Sequence, residues 1–175
     1  MLEKKLNVDW KILDFTINEF SSYDVAWVEP GSGIDFLAIF RKDLLWGLVD
    51  KIQNFWPPRL TWVTPLWSNI QAANNGKKKT KFDGLVTPVN NLGAMMFPTK
   101  NHVETALTEA KKHGKLIVAI KPFAGGRIKL EEALDYVFRK AKVDACMVEV
   151  GSKAEAEIDF RAAEKVLFSL PCSSR

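Results

Sequence analysis

Leu116–Ile120, LIVAI, is an unbroken apolar run closed by Pro122 and by Gly125-Gly126. A strand buried on both faces reads this way because neither side of it meets water, and such strands belong to parallel sheets. The period then changes. In LEEALDYVFRKAK, Leu130, Ala133, Leu134, Val137 and Phe138 recur at the spacing of one helical face. Val143–Val150, VDACMVEV, predicts a second strand, stopped by Gly151-Ser152. Ser152 followed by Glu155 has the spacing of a capping box and starts a helix from about Ala154 to Leu170.

The same alternation extends upstream. Phe82–Val89 predicts a strand, followed by the loop NNLGAMMFPTK. Thr99 or Asn101 caps the next helix, whose apolar face is Val103, Ala106, Leu107 and Ala110, and Gly114 stops it. Three strand–helix units in a row imply βαβ crossovers and a parallel sheet. Towards the N-terminus the pattern is less regular. Tyr23–Val28 predicts a strand, Leu37–Asn54 contains a helix broken by Pro57-Pro58, Leu60–Val63 predicts a short strand, and Trp10–Ile17 fits either a strand or a helix. No internal repeat and no domain boundary stands out, so the 175 residues read as one domain, long enough to cover roughly 70% of the unfolded surface.

Composition narrows the function classes. Hydrophobic residues make up 47% and charged residues 26%, which argues against disorder. The net charge is +4, part of it in Lys77-Lys78-Lys79 with Lys81 after Asn74-Asn75-Gly76. No aromatic residues interleave with these lysines to stack bases, so the run reads as a solvated loop and nucleic acid is not expected as a partner. Cys146 and Cys172 have no neighbour at metal-ligand spacing, which argues against zinc and fits a reducing compartment. The segment MLEKKLNVDW has no apolar h-region, and no stretch approaches the roughly 18 apolar residues of a membrane span. A cytoplasmic protein with no membrane partner is the expectation.

Half of the chain, Phe82–Leu167, resembles the C-terminal part of aldo/keto reductase-like TIM barrels. The resemblance rests on FDGLVTPVN from Phe82 to Asn90, on KPFAGG from Lys121 to Gly126, and on GSKAEAEID from Gly151 to Asp159. It is closest to a branch carrying AIKPxAxGRI and VTPxN-LG-M, and it weakens back through LTWVTPLW and DVAWVEPGS to Tyr23. It implies an α/β fold that is a partial (β/α)8 barrel, with the last four or five strand–helix units. The last four strands would then be Leu60–Val63, Phe82–Val89, Leu116–Ile120 and Val143–Val150. In the reductases the loops after the last two strands hold the phosphates of NADPH, which agrees with the general position of phosphate sites in this fold. The residues carried over are Lys121, Gly125, Gly126, Arg127, Gly151, Ser152 and Lys153. The reductase tetrad of Tyr, Lys, His and Asp comes from early strands and has no counterpart here. Tyr23 begins its strand, Tyr136 is mid-helix, and His102 and His113 lie at helix positions.

Function in such folds collects at the carboxyl ends of strands, which here carry Glu29, Thr64, Asn90, Asn91, Lys121, Arg127, Glu149 and Ser152. Lys121 has two readings: a base or Schiff-base amine of a lyase or aldolase if desolvated, or an ion-pair partner of Glu149 or Glu29. Gly125-Gly126-Arg127 either cradles an anion on backbone N–H groups or forms a plain turn at positive φ. Glu29 and Glu149 are candidate general bases, or partners of lysines. Asn90 and Asn91 could hold a ligand amide, or simply end a strand. Met95-Met96-Phe97, Trp62 and Trp67 line a pocket or a subunit contact, or fill the core. An open partial barrel exposes sheet edges, so pairing with a second copy or another chain is expected. Six tryptophans and eleven phenylalanines suit such an interface. The ligand expected is small and anionic or phosphorylated.

Overall fold

The computed structural model describes residues 6–25, 27–29, 33–55, 60–63 and 83–169. In chain order they form α1 (Trp10–Glu19), β1 (Trp27–Val28), α2 (Ile34–Phe40), α3 (Lys42–Phe55), β2 (Leu60–Val63), β3 (Gly84–Pro88) and α4 (Lys100–Lys112). They continue with β4 (Leu116–Ile120), α5 (Leu130–Asp135), a π-turn (Tyr136–Lys140) that prolongs it, β5 (Ala145–Cys146) and α6 (Lys153–Phe168). The fold class is α/β. All strand pairs are parallel, and the strands lie in sequence order, β1-β2-β3-β4-β5.

That order never reverses. Since βαβ crossovers are right-handed, a sheet wound in one direction puts its helices on one face. The apolar clusters follow this rule. Leu85 and Val89 of the β3 segment and Ile117 and Ala119 of β4 pack with Leu48 and Ile52 of α3, Leu107 of α4 and Val137 of the π-turn. The opposite face joins Val86, Val118, Leu116, Ile120 and Ala145, all strand residues. The pairings Leu85↔Ile117 and Val86↔Val118 keep the two sets apart, because successive side chains point to opposite faces. Each fully buried aliphatic side chain contributes about 1.5–3 kcal/mol. Among the described residues the sheet does not close, so β1 and β5 are its two ends.

Several elements match the pattern of the sequence. Leu60–Val63 and Leu116–Ile120 are strands as expected. The oxygen Oγ1 of Thr99 caps α4 by accepting the His102 N–H at 3.4 Å, and Gly114 ends it at φ 76°. Trp10–Ile17 resolves as a helix, because Asp9 Oδ1 accepts the N–H groups of Lys11 and Ile12, each at 3.1 Å. The helix expected within Leu37–Asn54 is α3, which buries Leu45, Leu48, Val49 and Ile52; the shorter α2 precedes it, separated at Arg41, whose backbone is non-helical. There the guanidinium bridges Asp43, at 2.7 and 3.0 Å, and the Leu6 carbonyl, at 3.2 Å. The strand expected over Val143–Val150 is paired by strand geometry only at Ala145–Cys146. Its partner β4 ends at Ile120, and Lys121, at φ 55°, turns the chain out of the sheet, so the residues after Met147 have nothing to pair with. The predicted strands at Tyr23 and Phe82 are shorter, at Trp27–Val28 and Gly84–Pro88. Thr64, Trp67, the lysine run with Lys81, Phe82, Cys172 and the side chain of Trp62 lie outside the described residues. No described helix is long and apolar enough to cross a membrane.

Candidate functional site

Two loops meet at the carboxyl ends of β4 and β5. The first begins at Lys121 and coils left-handed, with φ 49° at Ala124, 73° at Gly125 and 80° at Gly126. Of these three consecutive residues at positive φ, two are glycines, since a Cβ in that conformation crowds the backbone. The turn is braced internally. Ala124 N–H donates to Lys121 O at 3.1 Å, and Arg127 and Ile128 both donate to Phe123 O, at 2.9 and 3.2 Å. Arg127 Nε adds a bond to Ala124 O at 2.7 Å. Ala124, Ile128 and Ala133 pack with Phe123 and Ala94 beneath it. Gly125 and Gly126 are exposed, and their N–H groups find no acceptor among the described residues.

The second loop follows β5. Met147 N–H still donates to Ala119 O at 2.8 Å, and the chain then runs unpaired to Gly151. Ser152 caps α6, with its Oγ accepting the Glu155 N–H at 3.2 Å, while Glu155 reaches back to the Gly151 N–H at 2.7 Å. This closes the capping box that the Ser152 and Glu155 spacing predicts, displaced by one residue. Lys153 is the first residue of α6 and is exposed.

Between the loops is a cavity of 540 Å³, lined by Lys121, Phe123, Gly125, Gly126, Glu149, Glu155 and Asp159 among others. Its floor is apolar, with Ile120, Ile128 and Met147. The charges are unevenly spread. Lys121 is ion-paired with Glu149, the partner anticipated in one of its two readings, and is 40% exposed. Glu149 is 86% exposed. Glu155 is held by Gly151. Burial first, and then the neighbouring Glu155 charge, hold the Asp159 carboxyl above the usual carboxylate range.

The structure therefore brings Lys121, Gly125, Gly126 and Glu149 into the lining of one cavity. Arg127, Gly151, Ser152 and Lys153 flank it and do not line it. Asn90 is elsewhere in role. It is 0% exposed, and its amide is spent on backbone: Nδ2 donates to Ala94 O at 2.9 Å and Lys121 O at 3.3 Å, and Oδ1 accepts the Ala94 N–H at 2.8 Å. It pins the loop after β3 to the start of the glycine loop. Asn91 accepts Lys100 Nζ at 2.9 Å and donates to Glu132 Oε1 at 3.2 Å on the surface. Glu29 follows β1, four strand spacings or roughly 19 Å along the sheet from β5. Met96 is buried in the core, while Met95 and Phe97 are exposed. Sequence reasoning passed over Glu155 and Asp159 as lining residues. The signal was present, because acids at i and i+4 after a helix cap share the helix face nearest the loop.

Two further groups are defined by burial. The Tyr136 hydroxyl donates to Glu104, and burial and that carboxylate hold the phenol well above its usual range. Lys100 Nζ is 4.6 Å from the centre of the same ring. Cys146 is pushed up to about 12 by burial. In a Cys172→Ser background, Cys146 is expected to react with a disulfide reagent at pH 8 at least about a hundredfold slower than free cysteine, because the thiolate is the nucleophile. A rate within tenfold of free cysteine would contradict that burial.

Comparison with models of protein families, with curated protein sequences and with solved structures finds no match to this chain.

Proposed function

We propose that this chain is a run of the last four or five strand–helix units of a barrel, and that it binds a small anionic ligand in the cavity after β4 and β5. The observation that carries the reading is the pair of unaccepted N–H groups on Gly125 and Gly126, on the wall of a cavity that also holds the Lys121 ammonium. Backbone donors at a glycine loop accept an anion without reorganising, and the open space around both glycines leaves room for it. Of the three carboxylates on the walls, Glu149 and Glu155 are already engaged, so the anion is seated on the glycine side, away from α6. The sheet order and the helices on one face support the barrel reading.

The probe is inorganic phosphate, titrated while amide resonances are followed by NMR. Saturable shifts at Gly125 and Gly126 are expected. Lys121→Ala is expected to weaken binding roughly tenfold, the range of a charged hydrogen bond. Glu149→Gln, which releases Lys121, is expected to strengthen it. Glycine amides that stay in place up to high phosphate would remove the reading.

A second reading is favoured by the two open ends of the sheet. Ile12 and Phe15 on α1 and Ile158 and Phe168 on α6 are exposed. A subunit that completes a barrel with another copy or another chain would bury such residues.

A further inference from the structure

A second cavity, of 370 Å³, lies beside the first, between the π-turn, the chain after β5 and α6. It lies within the range of about 300–1,000 Å³ typical of small-ligand clefts. Its walls are apolar, formed by Leu134, Phe138, Cys146, Val150 and Ala163 among others, with one exception. That exception is Asp159, the one charged residue lining it among the described residues, which also lines the first cavity and so stands where the two adjoin.

The Asp159 carboxylate has no hydrogen bond or ion pair among the described residues. This sets it apart from Glu149 and Glu155 beside it, which are both engaged. A half-buried carboxylate against apolar walls loses hydration that nothing in the fold replaces. Its complement is a cation that brings its own apolar body. A carboxylate ligand would be repelled by Asp159 and by Glu155 one turn earlier. A neutral alcohol would leave the charge uncompensated. Phe138 and Phe160 also line it, and an aromatic ring favours a cation over a neutral head.

We propose that this cavity binds an organic amine, with its ammonium on Asp159 at the junction and its hydrocarbon chain along Leu134, Phe138, Cys146 and Ala163. The glycine loop does not line this cavity, so the amine and the anion proposed above take different walls, with Asp159 at the junction of the two.

The test titrates the full chain with hexylammonium, with 1-hexanol and with hexanoate, following amide resonances by NMR. Hexylammonium is expected to bind saturably, shifting Val148 and Ala163, with hexanol at least about tenfold weaker and hexanoate weaker still. Asp159→Asn keeps the shape and removes the charge. It is expected to weaken hexylammonium about tenfold and, because it removes a negative charge where the two cavities adjoin, to leave phosphate binding at Gly125 and Gly126 no weaker. Ala163→Phe, which fills the apolar part, is expected to abolish hexylammonium binding while the spectrum stays folded. The proposal is overturned if hexylammonium does not saturate, if hexanol binds as tightly, or if Asp159→Asn binds the amine as the parent does.

Discussion

Asn90→Asp is expected to destabilise the protein by about 3 kcal/mol at pH 7, the cost of a buried charge with no partner. The side chain is 0% exposed, and its Nδ2 serves two carbonyls, Ala94 O and Lys121 O. A carboxylate puts an acceptor where both carbonyls require a donor. The sign with pH follows from burial. The new carboxyl has a higher pKa folded than unfolded, so the loss is smallest below about pH 4, where both states are protonated, and grows as pH rises through the folded value. Urea midpoints of the parent and the variant at pH 4 and pH 7 measure it. A deficit that is equal at both pH values, or under about 1 kcal/mol at pH 7, would mean that Asn90 is not the pin between the loops. Asn90→Ala separates charge from lost bonds, at an expected cost of about 2 kcal/mol.

The same residue illustrates how far the sequence reaches. Its position at a strand end pointed to a ligand-binding role, and it does lie just past the carboxyl end of β3. Its role was not readable, because an amide that holds a ligand and an amide that holds two loops look alike in one dimension. Lys121 and Glu149 are a similar case. Their spacing allowed an ion pair, and the structure forms one. The strands LIVAI and LTWV and the apolar face of α4 were legible because each depends on local periodicity and nearby stop residues. The short β5 was not. VDACMVEV has strand propensity throughout, yet pairing needs a neighbour, and β4 turns away at Lys121. The break at Arg41 was hidden for a related reason. Its cause is the reach of one guanidinium to Leu6, 35 positions away in the chain. The cavity facing α6 was half visible. The GSKAEAEID segment marked the loop, but that Asp159 serves two cavities depends on how α6 packs against the π-turn.

Two aliphatic residues of nearly equal size separate the stability of one chain from association between chains. Leu85 is 0% exposed and pairs with Ile117 in the main core, whereas Ile158 is 60% exposed on α6. Leu85→Ala removes buried methyl groups and leaves a cavity. It is expected to cost about 3 kcal/mol and, in a chain of 175 residues, to lower Tm by roughly 10 °C. Ile158→Ser removes little buried area within the chain and is expected to change unfolding free energy at low protein concentration by less than about 0.5 kcal/mol. If α6 meets another copy, its effect appears only on association. Light scattering over a range of concentrations is then expected to give the parent more than the mass of one chain, and to return Ile158→Ser, combined with Phe15→Ser on α1, towards that mass. A parent that stays a single chain throughout discards self-completion of the barrel and leaves the two cavities on a lone subunit. A mass that rises equally in parent and variant places the contact away from α1 and α6, since their exposed apolar side chains would then remain uncovered in the assembly.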